Sequence, residues 1–159
     1  MLAVFCLCTI MLQSFLVGDN PNKEFAKSVF DCLKKNDLAG FKKLFITAAI
    51  FDSIADNSTV WNNDEKTRYK SKMTQHNLDS LIPDTYNDVR SDSSVKWENA
   101  HFDSAAVRID TMESMQELSF RVYFTENKKQ YTLGANTILK TSSGAWKIAN
   151  KLHVSDAAE

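Results

Sequence analysis

The apolar residues of this chain change their spacing near Val95, and that change decides the fold class. Before it, they recur every three or four positions. Phe25, Val29 and Leu33, with Phe30 beside them, form one stripe of a helix opened by Asn20-Pro21. Asn accepts from free N–H groups at a helix start, and Pro is tolerated at the first helical position. Asn36-Asp37 breaks this helix, and Asp37 caps a second carrying Leu38, Phe41, Leu44 and Phe45. Ile46–Phe51 continues apolar as a further helical turn. Tyr69, Met73 and His76 share one face of a later helix, capped at Asn63-Asp64, closed by Leu81 and Ile82 and stopped by Pro83. The polar stretch Asp84–Ser94 reads as a loop.

After Val95 the period is two. Leu118, Phe120, Val122 and Phe124 alternate with Ser119, Arg121 and Tyr123, which marks a strand with one dry face. Tyr131, Leu133, Ala135, Thr137 and Leu139 predict a second such strand, and Trp146, Ile148, Leu152 and Val154 a third. Two weaker strands precede them, over Val95–Asp103 and Ala105–Thr111. Glu126–Lys129 and Ser142-Ser143-Gly144 fall between strands as turns, so the strands form antiparallel hairpins. Helices first and strands last predict an α+β domain, with helices packed on a curved, mostly antiparallel sheet. Its 159 residues suit one domain with a real core.

Leu2–Val17 is almost wholly apolar and uncharged. A membrane span needs roughly 20 such residues, so the run reads as a secretory signal or anchor over residues 1–18. The domain proper is then 19–159, and the reading places it outside the cytosol, either secreted, periplasmic or held on the outer side of a membrane. Lipidation at Cys6 or Cys8 calls for a small preceding residue, but Phe5 and Leu7 stand there. Membrane contact is thus expected only through this segment. Cys32 is then the one cysteine of the domain, which forbids an internal disulfide. Asn57-Ser58-Thr59 is a glycosylation acceptor if the chain is secreted from a eukaryotic cell.

Two stretches carry a resemblance. Leu33-Lys34-Lys35-Asn36-Asp37-Leu38-Ala39-Gly40-Phe41-Lys42-Lys43-Leu44-Phe45 looks like a helix–Asn-Asp–helix corner, and Gly144-Ala145-Trp146-Lys147-Ile148 like a final Trp-x-Ile strand. Both are similar to the nuclear-transport-factor-2-like superfamily, the cone fold shared with ketosteroid isomerases, over about Pro21–Val154. The resemblance implies a cystatin-like cone of helices and sheet. For an isomerase it also implies an oxyanion-holding Tyr four residues before Leu33, where Val29 stands, and a general base near Ser53, next to Asp52. A base without an oxyanion donor lacks what is often the largest catalytic contribution.

Other chemistries find few residues. Lys+Arg 19 against Asp+Glu 20 leaves a net charge of -1, whereas phosphate neutralisation calls for a basic face, so nucleic acid is not an expected partner. His76, His101 and His153 form no metal-ligating pair, and no metal or other cofactor is expected. The 4 glycines make no phosphate loop or serine elbow. His101 and Asp103 lie two apart on a strand, where an acid–base pair is geometrically possible and a solvated pair is the alternative. Trp97, Arg121, Tyr123, Asn136 and Lys147 remain as a polar and aromatic set on the later strands. Facing inward they line a cleft for a small anionic or aromatic ligand. Facing outward, opposite Leu118–Phe124, they make a partner-binding or dimerisation face.

These features support an exported, non-catalytic binding module, for a small molecule or a protein, as the leading expectation. The alternatives are a small isomerase, dehydratase or hydrolase using Asp52 or His101 with Asp103, and a homodimeric assembly domain.

Overall fold

The computed structural model describes residues 20–92 and 94–157. The apolar leader expected over 1–18 lies outside them. Five helices come first: α1 (Pro21–Lys34), α2 (Leu38–Leu44), α3 (Ala48–Asn57), α4 (Asn63–Lys72) and α5 (Gln75–Arg90). A 3₁₀ turn at Trp97–Asn99 leads into β1 (His101–Met112), β2 (Met115–Glu126), β3 (Lys129–Lys140), β4 (Trp146–Ile148) and β5 (Leu152–Asp156). The chain is therefore α+β, with its helices packed on an antiparallel sheet. No described helix is long and apolar enough to cross a membrane.

Local chemistry starts the helices where it should. Asn20 accepts from the amide of Asn22 at 3.0 Å, and Asp37 from that of Gly40 at 2.8 Å. The cap of α4 is Asn62, one residue before the expected position. Its side chain and that of Glu65 exchange bonds in a capping box.

The helix expected to run from Asn63 to Pro83 is two helices, broken at Met73-Thr74, and the second does not stop at Pro83. It continues to Arg90 through the stretch expected as a loop. Leu78, Ile82, Thr85, Tyr86 and Val89 lie on one buried face, so burial outweighs the amide bond Pro83 removes. Tyr86 packs on Phe41, ring centroids 5.0 Å apart, and donates to Asn36 Oδ1 at 3.0 Å. Arg90 donates to the carbonyl of Leu33.

Strands β1, β2 and β3 are consecutive hairpins, and β4 and β5 both pair with the far side of β3. Asn127 and Lys128 turn between β2 and β3 with φ of 49° and 68°, the left-handed pair of a two-residue hairpin. The two weak strands expected before Leu118 are one strand, β1, whose register slips between Phe102 and Ser104. A second slip, opposite Ser119, adds a residue to β3 at Asn136-Thr137. This bulge ends the simple alternation: Tyr131, Leu133 and Ala135 face the core, and then Ile138 does, while Leu139 turns to the other face. The expected last strand breaks into β4 and β5 opposite the same bulge, where the Ala149 amide bonds the Thr137 carbonyl at 2.9 Å.

The inner face of β2 carries Leu118, Phe120, Val122 and Phe124, all buried. Phe124 stacks between Trp97 and Tyr131 at 5.2 and 5.5 Å, and Phe30 packs on it from α1 at 5.5 Å. The space between helices and sheet is filled there, and a larger open volume lies at the other end of the sheet.

Candidate functional site

Helix α3 turns Ala49, Ile50, Ser53, Ile54 and Asn57 to one side, the spacing of a single helical face. Its opposite side buries Phe51 and Ala55, with Phe51 against Trp61 at 6.0 Å. Facing α3 are the β1–β2 hairpin from Thr111 to Gln116 and the end of β3 with its turn, Lys140–Ser143, joined by Lys147 of β4. Together these three segments enclose a cleft of about 680 Å³, within the size range of small-molecule sites.

The walls are held by side-chain hydrogen bonds. Thr59, just after α3, donates from Oγ1 to Glu113 Oε2 at 2.6 Å, and its amide donates to Ser114 Oγ at 3.0 Å. This ties the hairpin tip to the helix end. Thr141 orders the opposite wall: it accepts from the amide of Ala145 at 3.1 Å and shares a hydroxyl bond of 2.9 Å with Ser143. Gly144, at φ 84°, permits that turn.

Two lysines line the cleft, each with its ammonium group held by a separate partner. Lys140 Nζ donates to Gln116 Oε1 at 2.8 Å and lies 5.5 Å from the Trp146 ring centre. Lys147 Nζ donates to the carbonyl of Lys43. Neither has a carboxylate partner among the described residues. Glu113, the acid on the lining, already accepts the Thr59 hydroxyl. Ile50, Ile54 and Met115 supply apolar surface beneath these polar groups. The cleft therefore combines an apolar wall, a row of hydroxyls and an excess of positive charge.

The residues singled out from the sequence are scattered. Lys147 lines the cleft. Asp52 does not: it sits on α3 beside the lining residue Ser53, rotated away from the cleft face. Val29, at the position of the implied oxyanion donor, is wholly buried. Trp97 is a core residue 1% exposed, its indole N–H bound to the Val89 carbonyl at 3.1 Å, so it belongs neither to the cleft nor to an outer face. His101 and Asp103 are both exposed, but the Asp103 carboxylate accepts from Thr125 Oγ1 at 2.6 Å, across the strand pair. The slip in β1 sets Asp103 out of register, so the two residues do not alternate as an unbroken strand would place them.

Arg121 and Tyr123 are exposed on the outer face, opposite the buried Leu118–Phe124 set. Gly134 and His153 continue the Arg121 row across the sheet, and Thr132 and Ser155 continue the Tyr123 row. Asn136 is exposed at the β3 bulge. Of the five residues of the strand set, only Arg121 and Tyr123 are adjacent on one face.

Sequence reasoning missed Lys140, Gln116 and the hydroxyls of Thr141–Ser143, and met Ser53 only as the position near the implied base. One signal was present, a Thr-Ser-Ser-Gly turn flanked within three residues on each side by Lys140 and Lys147. Elsewhere, burial and the charges of Asp37 and Asp31 push the Cys32 thiol upward, which makes it a poor nucleophile. No group of three His, Cys, Asp or Glu side chains could hold a metal among the described residues.

Comparison with family models, with curated proteins and with solved structures finds no match.

Proposed function

We propose that this chain is a non-catalytic binding module of nuclear-transport-factor-2-like architecture, whose cleft takes a small molecule with an apolar body and an anionic head. One observation carries the reading: Lys140 and Lys147 both line the cleft, without carboxylate partners among the described residues, together with the apolar side chains of Ile50, Ile54 and Met115. Like charges repel, so two ammonium groups in one cleft are better accommodated when an anion binds between them. The hydroxyls of Ser53, Thr141 and Ser143 supply the directional donors that such a head accepts from. The helix-then-sheet order and the Trp146-x-Ile148 strand support the architecture. The apolar run Leu2–Val17 supports export, for which protein from its own source should begin near Asp19.

The test uses the anionic probe anilinonaphthalene sulfonate, read by fluorescence titration. Hydrogen bonds to charged groups are worth ~1.5–3 kcal/mol, so Lys140→Ala and Lys147→Ala should each weaken binding by about ten-fold or more. Unchanged affinity in the double variant removes the cleft from the proposal.

A second reading rests on the outer sheet face, where Arg121 is exposed and Tyr123 is 37% exposed beside it. Tyr and Arg are favoured at protein interfaces. If Arg121→Ala with Tyr123→Ala leaves all protein binding unchanged, that face has no such role.

A further inference from the structure

The sheet ends on β1, with no strand beside it among the described residues. At the other side, β4 is covered: the amide of Ile46 donates to the Ile148 carbonyl at 2.9 Å, and Phe45 bridges to Ile148. No backbone hydrogen bond among the described residues reaches the outer edge of β1. Exposed edges are templates for pairing, and proteins usually blunt them with Lys, Pro or a bulge. The bulge of β1 lies at Asp103, near its start. The regular stretch Ala106–Met112 has neither Lys nor Pro, and it exposes Ile109 at 42% and Met112 at 37%.

Charge on this stretch is self-complementary in one register. Arg108 and Asp110 flank Ile109 and share the outer face, both well exposed. Within the strand, Arg108 Nε and Nη2 bond Asp110 Oδ1 at 3.0 and 2.9 Å. A two-fold axis through the sheet pairs antiparallel strands residue for residue and keeps each face continuous. Centred on Arg108 it opposes two guanidinium groups, and centred on Asp110 two carboxylates. Centred on Ile109 it opposes Arg108 to Asp110 twice and stacks the exposed isoleucines together. Asp110 also faces Glu117 across the β1–β2 pair, so an arriving guanidinium meets two carboxylates.

We propose that β1 pairs with β1 of a second copy of this chain, antiparallel and centred on Ile109, so that each Arg108 faces Asp110 of the other copy. The partner is the same chain, and the product is one sheet continuous through two molecules. The surface is the free edge of the sheet; it adjoins the cleft at Thr111 and the Arg121–Tyr123 face at Ala106.

The experiment is sedimentation of the full chain at low salt, with charge-reversed variants. Arg108→Asp opposes carboxylates at both positions and Asp110→Arg opposes guanidinium groups. Like charges directly across a ladder destabilise it, and two such pairs should weaken association by about ten-fold or more. Mixing the two variants in equal amounts restores opposite charges at both positions and should restore a heterodimer. Unchanged circular dichroism melts confirm that each variant is folded. A monomer at every concentration overturns the proposal. So does association insensitive to both variants, as sticking through residues 2–17 would be, and so does a mixture that stays apart.

Discussion

The imidazole of His153 occupies the space that a β-carbon on Gly134 would need. The two residues are direct partners across β3 and β5, and an ideal β-carbon at Gly134 would come within 2.4 Å of His153 Nε2. Gly inside a strand is ordinarily a weakness of roughly 0.5–1 kcal/mol relative to Ala, here tied to the ring that crosses it. Gly134→Ala alone should destabilise by up to about 1 kcal/mol, because the exposed ring must swing off the sheet. In a His153→Ala background the same change should stabilise by roughly 0.5–1 kcal/mol. A double-mutant cycle in urea measures the coupling, and additive effects would mean that the ring does not dictate the glycine.

Glu117 gives stability a pH dependence of known sign. Burial, and next the facing Asp110 carboxylate, push its pKa up from the ordinary 4.5, while the Thr137 hydroxyl pulls it down. In the raised window the folded chain holds a proton that the unfolded chain has released. Its stabilising effect is therefore complete below the unfolded value and is lost as pH rises through the folded one. Glu117→Gln should flatten the fall in melting temperature above about pH 4.5 and stabilise the chain at pH 7 by about 0.5 kcal/mol, the scale of like charges directly opposed. An identical pH profile in the variant would assign the slope to other groups.

The parts of the fold legible in the sequence are those set by neighbours along the chain. The caps at Asn20 and Asp37 and the alternation of Leu118–Phe124 act within a few residues, and each sits where its pattern implies. The β3 bulge at Asn136-Thr137 was hidden, because Thr137 and Leu139 continue the alternation of Tyr131–Ala135 in the sequence while the backbone breaks it. The cleft was hidden for another reason. Its walls come from α3, one hairpin tip and one turn, and only the placement of α3 opposite the sheet end sets Ser53, Gln116 and Lys140 around one cleft. Lys147 was found from its strand position alone, without the neighbours that give it a site.

Pro83 is a local cost tolerated for a buried face. It stands inside α5, where an interior proline costs roughly 3 kcal/mol relative to alanine in a regular helix. Ile82, Thr85, Tyr86 and Val89 keep the helix in place around it. Pro83→Ala should therefore stabilise the domain, by about 1–3 kcal/mol after allowing for strain already relaxed in the native backbone. Urea denaturation measures this, and a loss of stability would show that α5 needs the proline.

Trp97 offers the sharpest test of the core, because its two contributions separate. Its ring packs on Phe30 at 6.0 Å and Phe124 at 5.2 Å, and its N–H satisfies the buried-side carbonyl of Val89 at 3.1 Å. Trp97→Phe keeps most of the packing and removes the donor, so it should cost about 1–3 kcal/mol, the scale of a carbonyl left unpaired. Trp97→Ala also opens a cavity, and large-to-small aromatic changes cost about 3–5 kcal/mol. Because Val89 closes α5 onto the turn before β1, hydrogen exchange in the Phe variant should rise first at the end of α5, around Tyr86–Arg90. Exchange spread evenly over the sheet would instead place the stabilising role of Trp97 in its ring alone.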